Sequence, residues 1–168
     1  MENTRDTFYV TLRNRLAALN PARTMVVRGV VRPGVLVEEN ELATTFQPVN
    51  AFCLEWTEMK VDLAGALPLV TQTCAIRYAT DGSAENGGMD RGRLLAAMDG
   101  ELAAALGEHP RYAVKNNYAG VSTGVGAVVM GTNVFWGDAV FGAVTKTGER
   151  VERVATVEVF SYQEAGEL

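Results

Sequence analysis

The sequence predicts an α+β fold, with a mainly antiparallel sheet and two helices packed on one face of the sheet. Residues 4–19 and 91–106 show the apolar spacing of amphipathic helices. The segments around them alternate apolar and polar residues, as half-buried strands do. Short turns join most of these segments, which favours antiparallel pairing in the order α-β-β-β-β-α-β-β. A length of 168 residues suits a single domain, 1–168.

The first helix and the first two strands occupy the N-terminal quarter. Asn20-Pro21 ends the helix, because the residue before proline avoids the helical region. Two short strands are predicted over 25–31 and 35–38, with a turn at Arg32-Pro33-Gly34-Val35 between them. The acidic segment that follows is expected to be an exposed connection. The apolar stripe predicted for the helix consists of Phe8, Leu12, Leu16 and Leu19.

The next two strands are predicted over residues 51–61 and 69–79. In the first, the apolar residues occupy even-numbered positions before Thr57 and odd-numbered positions after it. This change indicates a bulge near Thr57-Glu58. In the second, the residues predicted to face the core are Val70, Cys74, Ile76 and Tyr78.

A glycine-rich loop, 80–89, leads to the second helix, for which Asp90 is the expected N-cap. Gly100 costs this helix roughly 1 kcal/mol relative to alanine, so we expect it to allow a close approach to the sheet. Gly107 is expected to end the helix as its C′ residue. The predicted apolar positions are Leu94, Leu95, Met98, Leu102, Ala105 and Leu106.

The C-terminal third is predicted to close the sheet with a hairpin. Residues 111–131 contain four glycines and are expected to form a long, mobile loop or a loose hairpin arm. Strands over 132–145 and 150–162 are joined by a short turn at 146–149. Residues 163–168 are expected to fray.

The composition excludes several classes of protein. The net charge of −5 and the sequence pI of about 4.9 argue against specific nucleic-acid binding, which usually needs a basic face. Cys53 and Cys74 belong to no metal-ligand cluster, and both lie in apolar segments. Neither a signal peptide nor an apolar run of membrane-spanning length is evident. We therefore expect a cytoplasmic protein without membrane, metal or cofactor partners.

The residues that most resemble catalytic groups form no catalytic set. The glycines of 120–131 lack the lysine and Ser/Thr of a phosphate-binding loop. His109, the single histidine, follows a helix and has no partnered nucleophile in a recognisable motif. Glu55, Glu58 and Asp62 are interpreted as a solvated strand face, and Trp56 and Trp136 as core residues. The sequence thus predicts no catalytic, metal or cofactor-binding residue, and no enzyme.

The layout resembles a known family. A helix with FYVTLRNRLAAL precedes a valine-rich strand pair and a strand with FCLEW. A polar loop then leads to the helix GMDRGRLLAAMDGELAAAL, and a hairpin ends in RVERVATVEVF. This order is similar to that of the small bacteriophage and prophage tail terminator, tail-completion and minor tail proteins. The similarity covers most of residues 5–162, and it lies in the order of the elements and in the residue pattern within each of them. The long 111–131 segment departs from it.

The resemblance implies a non-enzymatic protein that assembles into a ring, typically a hexamer, and joins the tail tube to the head. Its expected partners are other copies of itself and tail-tube or head-connector proteins, and it would be a virion component. A net negative charge suits the lumen of such a ring, because DNA is also negatively charged and passes through without adhering. The loops 38–47, 80–89 and 115–131 would then carry the assembly contacts. The candidate residues in these loops are Glu38, Glu39, Glu41, Asp81, Glu85, Asn116, Asn117 and Tyr118.

Two alternatives stay open at this point. The first is an enzyme or small-ligand-binding domain with its site under residues 111–131, which predicts a deep apolar pocket with convergent polar groups. The second is a homodimer that pairs exposed strand edges.

Overall fold

The structure is a computed structural model, and it describes residues 1–37 and 48–167. These residues form an α+β fold, which confirms the predicted class, but the predicted order is only partly right because more strands are present. The helices are Glu2–Leu19 (α1) and Arg91–Gly107 (α2). The strands before α2 are Thr24–Val27 (β1), Val30–Pro33 (β2), Val35–Val37 (β3), Phe52–Asp62 (β4) and Leu69–Thr80 (β5). Those after it are Tyr112–Asn117 (β6), Val128–Trp136 (β7), Val140–Phe141 (β8), Thr145–Thr147 (β9) and Arg150–Tyr162 (β10).

The main sheet is built around β10. Its strands follow the order β3-β4-β5-β10-β7-β6, and the short strands β8 and β9 also pair with β10. One edge of β10 pairs with β5 over nearly all of its length, from Val151 opposite Thr80 to Tyr162 opposite Leu69. The other edge pairs with β9, β8 and β7 in turn. Every pairing is antiparallel except that of β3 with β4, so the predicted mainly antiparallel character is confirmed.

Both helices pack on the same hydrophobic core. Alternate residues of β4, β5, β7 and β10 face this core. The residues predicted to face the core from β5 are all buried. The predicted bulge is present, because the register of β4 against β5 shifts between Trp56 and Glu58. Leu19 was expected in the apolar stripe of α1, but it is 50% exposed, because the helix ends there without a partner surface. The apolar helical residues that are buried are Phe8, Leu12, Leu16, Leu95, Met98, Leu102, Ala105 and Leu106, and Thr4 and Thr7 of α1 are buried with them.

The predicted turn at Arg32-Pro33-Gly34-Val35 is wrong. β1 and β2 form a separate two-stranded hairpin whose turn is Arg28-Gly29, with φ of 51° and 81° at these residues. Pro33 ends β2, and it is tolerated because the outer edge of this hairpin has no neighbouring strand in the described sheets. Gly34 is a bend that leads into β3 and donates its backbone N–H to the carbonyl of Arg23.

Residues 111–131 form an ordered hairpin arm. β6 and β7 pair from Tyr112 opposite Phe135 to Asn117 opposite Val128, and a single 3-10 turn, Val121–Thr123, lies near the tip. The hairpin alternative is therefore confirmed, and the long mobile loop is wrong. The single strand predicted over 132–145 is also wrong, because the chain leaves the ladder after Trp136 and again after Phe141.

The ends of α2 differ in detail from the prediction. Asp90 precedes the helix as expected, but its carboxylate accepts hydrogen bonds from the backbone and side chain of Ser83 and from Asn86. These bonds hold the pKa of Asp90 low, at about 2. Gly107 is the last helical residue, and Glu108 after it is extended, so the expected left-handed C′ glycine is absent. A Cβ on Gly100 would meet no atom within 4 Å, so this glycine mediates no close approach.

Residues 163–167 are anchored and do not fray as expected, while Leu168 lies outside the described residues. The backbone N–H of Gln163 bonds to the carbonyl of Pro68, and the Gln163 side chain is buried. The Glu167 carboxylate accepts a 2.7 Å bond from the fully buried Lys115 Nζ, which also bonds to the carbonyl of Tyr162. Burial and paired charge therefore tie residues 163–167 to β6.

Candidate interaction surfaces

A row of aromatic side chains lies on the face of the sheet opposite the helices. Tyr112, Phe135 and Phe160 stand side by side on β6, β7 and β10, with successive ring centroids 5.7 Å apart. Tyr162 follows on the same face of β10. Tyr112 is 44% exposed and Tyr162 is 47% exposed. We refer to these four residues as the aromatic patch; apolar surface of this kind commonly marks a site of protein contact.

Acidic side chains border the aromatic patch. Glu158 lies two residues from Phe160 on β10. On β5, between the two glutamates, Thr73 is opposite Glu158 of β10 on one side and Glu58 of β4 on the other. Both glutamates are exposed, and neither has an ion-pair partner in the described part of the chain. Lys60 and Asp62 continue the same face of β4, which leaves a net charge of −2 on these four residues. We call Glu58 and Glu158 the acidic border.

The hairpin of β1 and β2, residues 24–33, is a second exposed apolar surface. Its cross-strand pair Val26 and Val31 is 65% and 66% exposed, and Val30 is 62% exposed. An isolated two-stranded hairpin is marginally stable in water, so the body of the protein must hold it. We call it the valine hairpin.

Three contacts hold the base of the valine hairpin on the helix side of the protein. The Arg23 guanidinium makes two hydrogen bonds of 2.7 and 2.8 Å with the carboxylate of Glu101 on α2, and it lies over the ring of Phe52. Arg32 donates to the hydroxyl of Tyr9 on α1. The base is therefore fixed, while the turn and the valine pair project from it.

The turn of the valine hairpin has an unusual residue. Both central positions have positive φ, as a type I′ turn requires, and Asn-Gly is the sequence that fits this turn best. Here an arginine, Arg28, occupies the first position at φ 51°. Its side chain is exposed and makes no hydrogen bond or ion pair with the residues that the structure describes. A left-handed conformation costs such a residue about 1–2 kcal/mol.

The acidic candidates from the sequence are distributed as follows. Glu38, Glu39 and Glu41 lie outside the described residues. Asp81 accepts a 3.0 Å bond from Arg150 and so links the start of the 81–90 loop to β10. Glu85 is exposed on a 3-10 turn of that loop.

The candidates in the 111–131 arm have local structural partners. The Asn116 backbone exchanges hydrogen bonds with the hydroxyl of Thr7, which joins β6 to α1. The Asn117 side chain accepts a bond from the Ala119 N–H and shapes the turn. Tyr118 is half-buried, and burial raises the pKa of its hydroxyl, with a further contribution from Asp6. The structure thus brings Asn116, Asn117 and Tyr118 together and places Asp81 and Glu85 in a different loop.

A groove of about 460 Å³ lies between α2 and the β9–β10 turn. Its arginines are each paired with a carboxylate: Arg91 with Glu149, Arg150 with Asp81 and Arg153 with Asp99. Asp99 also accepts a 2.5 Å bond from the hydroxyl of Tyr78. The pairs join α2 and the loop before it to β10 and the β9–β10 turn, so internal partners account for the charges of these arginines. No residue of 111–131 lines this groove.

The remaining candidates from the sequence are the two tryptophans and the single histidine. Trp56 and Trp136 are buried in the core, as predicted. His109 is exposed after α2. Among the described residues, no three His, Cys, Asp or Glu side chains lie close enough to hold a metal ion. No helix in the same part of the chain is long and apolar enough to span a membrane.

A comparison with models of known protein families and with curated proteins finds no match to this chain.

Sequence reasoning missed the valine hairpin and the aromatic patch as surfaces. The segment VVRGVV carries a usable signal, because an Arg-Gly pair between two valine pairs fits a two-residue hairpin loop. The patch gave no comparable signal. Phe135 and Phe160 look like core residues until the pairing of β7 with β10 places them on the face away from the helices.

Proposed function

We propose that this protein is a non-enzymatic assembly protein that forms a ring of identical subunits, as phage and prophage tail terminators do. The observation that carries the proposal is the presence of two separate apolar surfaces, the valine hairpin and the aromatic patch, outside the core. Valines exposed by more than 60% on a fixed hairpin are costly in water unless another chain covers them.

The two surfaces differ in shape and chemistry, and this difference favours a ring. A contact between unlike surfaces is head-to-tail, and repeated rotation about one axis then closes into a ring or continues as a filament. The resemblance to tail terminators inferred from the sequence supports the closed form. The ring would contact tail-tube or head-connector proteins through a surface that the subunit contact leaves free.

The arm formed by β6 and β7 is the best-placed surface for a second partner. The exposed large hydrophobic residues near its tip are Val121, Val125, Val128 and Val129, which are between 50% and 70% exposed. This apolar tip is distinct from both the valine hairpin and the aromatic patch, so it stays available when these are covered.

The proposal is tested by the mass of the protein in solution, alone and with purified tail-tube protein. Native mass spectrometry and light scattering are expected to give a defined multimer of the 18.1 kDa chain, which then binds the tube protein. A chain that stays monomeric at all concentrations and ignores tube protein contradicts the proposal. A dimer would instead favour pairing of strand edges.

A further inference from the structure

We propose that the valine hairpin of one copy docks on the aromatic patch of the next copy, with Arg28 placed against the acidic border of Glu58 and Glu158. This inference rests on the proposed ring and adds to it the two surfaces that meet and the charge that orients them. The occupant of the patch is therefore a second copy of this chain.

The placement of the two surfaces makes the contact intermolecular. The base of the hairpin contacts α1, α2 and the ring of Phe52, which all lie on the helix side of the sheet. The aromatic patch lies on the opposite face, beyond the thickness of the sheet. One subunit therefore presents the hairpin on one side and the aromatic patch on the other, and a contact between two such unlike surfaces is head-to-tail.

Charge complementarity selects this pairing. Residues 22–37 carry three arginines and no acidic residue, within a chain of net charge −5. Glu101 neutralises Arg23, and Arg32 contacts Tyr9, so Arg28 at the tip is the charge available for a partner. The acidic border supplies two exposed carboxylates beside the aromatic rings. Opposite charges around an apolar centre fix the orientation of an interface and speed encounter.

The backbone of Arg28 gives an independent argument. Asparagine would suit a position with φ of 51° better than arginine does, so the turn conformation does not account for an arginine here. A sparsely populated conformation of this kind points to a role outside folding. Arginine is also one of the residue types that are enriched at interface hot spots.

The first experiment uses Arg28→Asn, which keeps the turn and removes the charge. We expect the subunit dissociation constant to rise about two- to fivefold by sedimentation velocity, which is the range that the loss of a solvent-exposed ion pair gives. The melting temperature of the dilute monomer is expected to hold or to rise by about 2 °C. Assembly unchanged from the wild type overturns the proposal.

The second experiment reverses the charges. Arg28→Glu and Glu158→Lys are each expected to weaken assembly by about tenfold or more, and the double variant to recover most of the wild-type affinity. Arg93→Glu, on an exposed position of α2, changes the net charge equally and is expected to leave assembly unchanged. Single variants that assemble normally, or a double variant no better than the singles, contradict the contact.

The outcomes separate this inference from the proposed function. If the wild-type chain is monomeric, the ring itself fails. If the wild type forms a ring and the charge variants do not affect it, the ring stands and the docking surfaces are wrong. A third outcome is that the Arg28 variants assemble normally and Phe160→Thr does not assemble. This outcome would show that the aromatic patches of two copies pair with each other, and it would also overturn the hairpin contact.

Discussion

Arg23 and Glu101 form a paired, two-bond contact that fixes the base of the valine hairpin to α2. Arg23 Nε lies 2.7 Å from Glu101 Oε2, and Nη2 lies 2.8 Å from Oε1. Their side chains are only 13% and 18% exposed, so the contact is shielded from solvent. A bidentate arginine–carboxylate pair adds direction as well as energy. This contact therefore sets where the hairpin points.

Removing the arginine is expected to destabilise the protein. Arg23→Ala leaves the half-buried Glu101 carboxylate with Asn20 as its only described partner, and a lost charged hydrogen bond costs about 1.5–3 kcal/mol. Urea unfolding measures the loss. Glu149→Ala is the matched control, because that carboxylate is 83% exposed, and its removal is expected to change stability by less than about 0.5 kcal/mol. Equal effects of the two substitutions would contradict this account of Arg23.

The same contact gives stability that depends on pH. Burial alone would raise the pKa of Glu101, but hydrogen bonds from Arg23 and Asn20 outweigh burial and lower it from its ordinary value of 4.5. Because the folded pKa lies below the unfolded one, the stabilisation is complete above the unfolded value and is lost as pH falls through the folded value.

The test of this pH dependence compares the wild type with Glu101→Gln by urea unfolding between pH 7 and pH 3. The wild type is expected to be more stable at pH 7, and the difference is expected to shrink below pH 4.5. A difference that is constant across this range would show that the Glu101 charge does not contribute.

The buried pair of Lys115 and Glu167 is expected to behave differently from an exposed ion pair. Glu167→Ala leaves a fully buried ammonium without its carboxylate and is expected to cost about 3 kcal/mol or more. The double variant Lys115→Met with Glu167→Gln removes both charges and is expected to recover about half of that loss. Thermal unfolding of the three proteins decides this, and a double variant less stable than the single would refute the explanation.

Two glycines are expected to respond oppositely to alanine. Gly82 has φ of 86°, and a Cβ there would lie 2.5 Å from the Cα of Gly88, so Gly82→Ala is expected to cost more than about 2 kcal/mol. Gly100 lies inside α2 with open space around it, so Gly100→Ala is expected to stabilise by about 1 kcal/mol. Unfolding midpoints measure both effects. Destabilisation by Gly100→Ala would mean that this glycine has a contact outside the described chain.

The sequence predicted the elements that have a clear apolar period. The stripe of Phe8, Leu12 and Leu16 defined α1, and the parity shift after Thr57 located the bulge in β4. These signals are local, because burial of one face imposes a period on neighbouring residues. The fold class followed from them.

The errors arose where two local signals competed or where a distant partner decides. Pro33 and Gly34 are strong turn residues, but the Arg28-Gly29 turn lets four valines pair across the hairpin. Residues 163–167 look frayed in sequence, yet a buried lysine 52 residues away in the chain holds Glu167. The candidate surfaces were missed for the same reason, since only the pairing of β6, β7 and β10 brings Tyr112, Phe135 and Phe160 together.

The most direct test of the central claim, that exposed apolar surfaces of this chain join identical subunits, is the mass of the wild-type protein by native mass spectrometry over a range of concentrations. The account predicts one defined multiple of the 18.1 kDa chain, larger than a dimer. A single species at the monomer mass throughout that range would contradict it.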